Sequence, residues 1–156
     1  MIVVSDSTTL IILANQQRFD LLNNLFTEVL IPDAVWHEVQ AKKSLVLPSF
    51  LARKSLTPTD DLATLMHLLD RGESEAILLA KSLHLPLIID ERKGRRVASQ
   101  MGVPIIGLLG IIAMNVKKGF LTRSEAQALL ETVREAGYRI SQTLIEAMFT
   151  HLSTND

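Results

Sequence analysis

The chain has 156 residues, 47% of them hydrophobic, and its 16 basic and 17 acidic side chains leave a formal net charge of -1. That composition predicts one folded domain rather than a disordered segment, and it leaves any polyanion binding to a local patch. With no cysteine, disulfides, thiolate metal sites and cysteine nucleophiles are excluded.

The N-terminus lacks a basic n-region, and the longest apolar stretch, 103–116, is shorter than the roughly 20 residues that span a bilayer. A soluble, cytoplasmic protein with no membrane partner is expected.

Ile2-Val3-Val4-Ser5 is an apolar run closed by Asp6, and it reads as a buried strand. A helix is predicted from Ser7 or Thr8 to Gln17, and a second from the spacing of Phe19, Leu22, Leu25 and Phe26. Glu28-Val29-Leu30-Ile31 reads as a strand stopped by Pro32. The helix expected from Asp33 buries Val35, Trp36 and Val39.

Residues 42–58 carry two prolines and no clean period, so a loop with one edge strand is expected. Thr59 or Asp60 is placed to cap a helix with the stripe Leu62, Leu65, Met66 and Leu69. Asp70-Arg71-Gly72 reads as a break, with the next helix opening at Glu73 and running through Ala76, Ile77, Leu79, Ala80 and Leu83.

Leu87-Ile88-Ile89 is the second apolar run closed by an acid, here Asp90. A helix over 91–101 follows, with Gly94 an oddity inside it. Pro104-Ile105-Ile106 predicts a last strand, and 107–118 an apolar helix. Thr122 and Glu125 spell a capping box for a helix that buries Ala126, Leu129, Leu130 and Val133 and ends before Gly137. The final helix aligns Leu144, Ile145, Met148, Phe149 and Leu152 on one face. Alternating strands and helices predict a three-layer α/β/α fold with a central parallel sheet. It is expected to span 1–156 as one domain, with C-terminal helices from about 122.

Reactive groups in such sheets sit past the carboxyl ends of strands, so Asp6 and Asp90 are the first candidates. Each has an ordinary alternative as a helix cap. Glu38 lies beside the apolar stripe of its helix, and Glu73 and Glu75 sit where a helix start favours negative charge. Arg92, Lys93, Arg95 and Arg96 crowd one turn after Asp90; guanidiniums are suited to gripping phosphates. His37, His67, His84 and His151 show no metal-ligand spacing, and neither a dinucleotide fingerprint nor a P-loop is present.

Taken together, VVSDSTTLI, PDAVWHEV, GESEAILLA and LIIDERKGRR resemble the PIN-domain family, over roughly 2–118. The resemblance implies a parallel sheet flanked by helices and an acidic pocket binding Mg²⁺ or Mn²⁺. It also implies metal-dependent ribonuclease activity, often as the toxin of a type II toxin–antitoxin pair, with RNA as substrate. An antitoxin protein and a homodimer are the expected protein partners. The family's first acid matches Asp6, its helical glutamate Glu38 and its last strand-end aspartate Asp90. Its third acid, usually Asp, falls at Glu73, with Glu75 competing for that place and Glu91 standing for a second downstream acid. Ser7 matches the polar residue after the first aspartate; Leu108 stands where similar proteins often place a threonine.

Carboxylate oxygens suit hard cations such as Mg²⁺ or Mn²⁺. The expected chemistry is in-line attack on an RNA phosphodiester by metal-activated water, with Asp6, Glu38, Glu73 and Asp90 holding the ion. Ser7, Arg92, Lys93, Arg95 and Arg96 are the expected nucleic-acid contacts, with Lys117 and Lys118 as weaker ones. The alternative is a non-catalytic PIN-like module that binds RNA or protein. A phosphoacceptor domain ranks below both, because Gly107 follows Ile105-Ile106 where a lysine would be wanted.

Overall fold

Among the described residues, five short strands pair wholly in parallel in the computed structural model. They are β1 (Ile2–Ser5), β2 (Glu28–Ile31), β3 (Leu51–Arg53), β4 (Leu87–Ile88) and β5 (Ile105–Ile106), in the order β3-β2-β1-β4-β5. The structure describes residues 1–43, 46–57 and 59–154. Val3, Val4, Val29, Ile31, Leu87 and Ile88 are wholly buried, as β-branched and apolar residues in a sheet covered on both faces should be. The sheet is flanked by helices in an α/β/α arrangement, as expected.

Register fixes where the acids fall. Val4 lies opposite Leu87 and Ser5 opposite Ile88, and the Asp6 N–H carries the ladder one step further to the Ile88 carbonyl at 2.9 Å. The chain steps outward from β1 through β2 to β3, then returns to the other flank of β1 with β4. The carboxyl ends of β1 and β4 thus flank a topological switch point, where open parallel sheets hold their ligands.

Helices α1 (Ser7–Asn15), α2 (Asp20–Asn23), α3 (Asp33–Lys43), α4 (Asp60–Leu65), α5 (Arg71–Leu83) and α6 (Arg92–Gln100) alternate with the strands. Together with the sheet they form one compact unit, Met1–Leu108. The α1 run Leu10-Ile11-Ile12-Leu13 is buried around its whole circumference. Pro32 ends β2, and its carbonyl accepts the Trp36 N–H at 2.9 Å as α3 begins. Arg53 donates to Asp33 at 2.7 Å, fastening the edge strand to the start of α3.

A second compact unit, Leu109–Asp156, holds most of α7 (Leu108–Lys117) with α8 (Arg123–Glu135) and α9 (Gln142–Thr154). The capping box at the head of α8 forms as predicted. Glu125 N–H donates to Thr122 Oγ1 at 3.1 Å, and Thr122 N–H donates to Glu125 Oε1 at 3.0 Å. Arg123 donates to the Phe149 carbonyl at 3.0 Å and lies over its ring, joining α8 to α9.

Several expectations are corrected. The second helix is a single turn, Asp20–Asn23, too short to use Leu25 and Phe26 in a helical stripe. Asp70-Arg71-Gly72 does not break α4, which ends at Leu65. Asp70 is the N-cap of α5, accepting the Glu73 N–H at 2.8 Å, so the helix opens at Arg71. Met66 and Leu144 are 41% and 58% exposed, outside the buried stripes assigned to them. The loop expected over 42–58 does contain the edge strand β3, while α3 runs on to Lys43; Ser44, Leu45 and Pro58 lie outside the described residues. Among the described residues, no helix is long and apolar enough to cross a membrane.

The capping box yields a direct test. Thr122→Ala is expected to lower unfolding free energy by about 1 kcal/mol, read as a shift of the urea midpoint at unchanged slope.

Candidate functional site

Asp6 enters the carboxyl edge of the sheet from the end of β1 and is 4% exposed. The ordinary role for an aspartate there is to cap α1, yet its side chain makes no capping hydrogen bond to that helix. Burial pushes its carboxyl up to about 7. The Ser7 backbone bond opposes this, while the carboxylates of Asp70, Glu38 and Glu91 add to the rise.

Glu73 reaches the same region from the first turn of α5 and is 7% exposed. Its Oε2 is buried and has no hydrogen-bond partner. Burial lifts its carboxyl to about 8, with further contributions from the Asp70 charge, a side-chain hydrogen bond with Asp70, and the Asp6 and Glu91 charges. Glu75, the competing candidate, is differently employed. Its Oε1 accepts the Ala34 N–H at 3.0 Å and its Oε2 accepts from Arg71 Nε at 2.8 Å, so both oxygens fasten α5 to its surroundings.

Two glycines leave room around these acids. A carbon on Gly94 would meet Glu73 Oε2 at 2.6 Å and Ile89 Cδ1 at 2.7 Å. The glycine that looked out of place in α6 is there so that the helix backbone can lie against Glu73. A carbon on Gly72 would sit 3.2 Å from Glu38 Oε2 and 3.6 Å from Asp70 Oδ1, which places both carboxylates around one point.

Asp90 ends the adjacent strand β4, so the two acids that close apolar runs do stand on neighbouring strands. Its Oδ2 accepts from the Thr9 hydroxyl and its Oδ1 accepts the Leu108 N–H at 2.8 Å. Glu91 is exposed at the N-cap of α6. Arg92, Lys93 and Arg96 are exposed, whereas Arg95 donates to the Ile89 carbonyl at 2.9 Å. Ser7 is buried.

Carboxylate oxygens are the donors at this edge, which suits a hard divalent cation. The unpartnered Glu73 oxygen and the space at Gly72 and Gly94 suit one as well. Among the described residues, no three acidic or histidine side chains already stand close enough to hold one ion. Of the neighbouring acids, Glu38 is half-buried and Asp70 exposed.

Asp70 is the acid that sequence reasoning missed. Its signal was present: an aspartate three residues before a glutamate is a helix-start pattern, but next to a glycine it read as a stop.

The DUF3368 family, a PIN domain, matches residues 2–154. The chain belongs to the PIN-domain family. PIN domains are generally nucleases, and they usually use divalent metals. A solved structure of a PilT N-terminus domain protein, SSO1118 from the hyperthermophilic archaeon Sulfolobus solfataricus P2, is similar to this chain at 17% identity. That likeness covers 90% of this chain and 100% of the other, with a TM-score of 0.49. No curated protein matches the chain in sequence.

The raised carboxyls give a pH dependence. Folding favours the neutral form of Asp6 and Glu73. Their contribution to stability is complete below the ordinary carboxylate range and is lost as pH rises through about 7 and about 8. In chelator, Asp6→Asn is expected to raise the melting temperature more at about pH 8 than at about pH 5; circular dichroism melts at the two pH values measure it.

Proposed function

We propose that this protein is a Mg²⁺- or Mn²⁺-dependent endoribonuclease acting as the toxin of a type II toxin–antitoxin pair. The observation that carries the reading is the buried Glu73 carboxylate, with one oxygen unpartnered and within electrostatic reach of Asp6 at the carboxyl edge of β1.

Asp6, Glu38 and Glu73 would hold the cation, drawn from β1, α3 and α5. When bound, a divalent cation supplies the charge that acidifies a water and offsets the negative oxygens of a phosphodiester. Holding Asp6 and Glu73 as anions in a buried place is costly, and that cost favours binding of a compensating charge. Asp90, the fourth expected acid, keeps Thr9 and the head of α7 in place at the neighbouring strand end. Arg95 is engaged by the Ile89 carbonyl and Ser7 is buried, so Arg92, Lys93 and Arg96 are the cations free to meet the RNA backbone.

RNA as substrate, an antitoxin protein and a second copy as partners, and the cytoplasm as location belong to the same reading. Exposure of Phe120 (50%) and Leu144 (58%) supports a protein contact. The family match over residues 2–154 supports treating 1–156 as one PIN-like domain.

The competing reading is a PIN-like module that binds RNA or protein without cutting. It is favoured by the lack, among the described residues, of three acids gathered for one ion.

Cleavage of single-stranded RNA separates the two. Activity is expected with Mg²⁺ or Mn²⁺ and not in chelator, and Asp6→Asn or Glu73→Gln should lower it on the order of 100-fold or more. RNA binding without metal-dependent cleavage, indifferent to both variants, would instead select the module. Each of Arg92→Ala and Arg96→Ala should reduce the salt dependence of RNA affinity, lowering the slope of log affinity against log salt by about 0.7.

A further inference from the structure

The geometry points to Asp70 as a ligand of the divalent cation, in the place that the sequence gives to Asp90. This rests on the proposed metal-dependent reading and names the acid that completes it.

Asp90 is poorly disposed to take a cation. One oxygen is committed to the Thr9 hydroxyl and the other to the first N–H of α7. A carbon on Gly107 would lie 3.1 Å from Asp90 Oδ1 and 2.6 Å from Arg95 Nη1, so the carboxylate and a guanidinium border the same small space. Arg95 is held there by its bond to the Ile89 carbonyl. A divalent ion approaching Asp90 from that side would meet a fixed positive charge. The hydrogen bonds and the guanidinium together make Asp90 a structural tie between α1, β4 and Leu108.

Asp70 has the opposite surroundings. Its Oδ1 accepts the Glu73 N–H at 2.8 Å. That bond sets it at the head of α5, three residues from the glutamate whose Oε2 is buried and unpartnered. Its Oδ1 and Glu38 Oε2 both border the space that Gly72 leaves open. The nearest arginine in sequence, Arg71, turns its Nε to Glu75 instead. Asp70 therefore joins Glu73 and Glu38, with Asp6 at the end of β1, as an acid from which a hard cation would draw its oxygens, and the D-x-G-E sequence at the start of α5 supplies two of them from one helical turn.

The test uses the full chain and Mn²⁺ alone, titrated by calorimetry and by thermal shift. Asn is as good an N-cap as Asp, so Asp70→Asn removes the charge and leaves α5 capped. It is expected to weaken Mn²⁺ binding by roughly 10- to 100-fold without lowering the melting temperature in chelator. Asp90→Asn can still accept from Leu108 N–H and can donate to Thr9 Oγ1, and it is expected to bind Mn²⁺ as the wild type does. Loss of binding in Asp90→Asn, with or without loss in Asp70→Asn, would overturn the exchange of roles. Undiminished binding in Asp70→Asn would overturn it too. Failure of the wild-type chain to bind Mn²⁺ at all would remove the metal-dependent reading itself, and the assignment of Asp70 with it.

Discussion

The parallel pairing of β1 with β4 is the constraint from which the rest of the site follows. These strands are far apart in sequence, and Val4 and Ser5 are held opposite Leu87 and Ile88 by buried backbone hydrogen bonds. A one-residue slip would turn every side chain of β4 to the other face of the sheet. Once that register is set, Asp6 and Asp90 must emerge on the same edge. Residues that leave β1 toward α1 and β4 toward α6 then have no other place to go. Glu38 and Glu73 arrive from α3 and α5, which pack on one another at Gly72 and Val35.

Concentrating carboxylates there works against folding. Two like charges about 4 Å apart repel by roughly 4 kcal/mol at an effective dielectric near 20. Burial adds a separate penalty, and for both Asp6 and Glu73 it is the larger cause of the raised carboxyl pKa. The surrounding core is apolar and closely packed, with Val35, Val39, Ile77 and Ala76 wholly buried, and it holds the acids against that cost. Glu75 shows what a structural acid looks like in the same helix: paired with Arg71 and hydrogen-bonded at both oxygens. Glu73, two residues earlier, leaves its Oε2 buried and without a hydrogen-bond partner. Such a contrast within one turn agrees with the catalytic use proposed for Glu73.

Most of the architecture was legible in the sequence because its signals are local. β-branched runs ended by Pro32 or by an acid marked the strands, the Thr122–Glu125 pair marked the start of α8, and the 3.6-residue spacing marked α5 and α8. Asp6, Glu38 and Glu73 were likewise legible as candidates. What could not be read was their surroundings. Whether Asp90 is open or bound depends on Thr9 and Leu108, 81 and 18 residues away. Glu73 and Glu75 look alike in the sequence, and only the partners Ala34 and Arg71 separate them. Asp70 was hidden because, close to a glycine, it read as a stop, whereas it begins α5. Met66 and Leu144 match an apolar spacing, but spacing alone cannot say whether another element covers that side of the helix.

Gly94 has a consequence for how this protein can change over generations. The wall above Glu73 is main chain, contributed by a helix whose neighbouring positions point outward as Arg92, Lys93 and Arg96. Those outward positions have room for other side chains, and on the proposed reading contact with a nucleic acid can be retuned through them. The inward position has no such liberty, because even a methyl group would collide with the carboxylate beneath it. On the proposed reading, contact with the nucleic acid and the packing that protects the acid therefore fall to adjacent residues of a single turn.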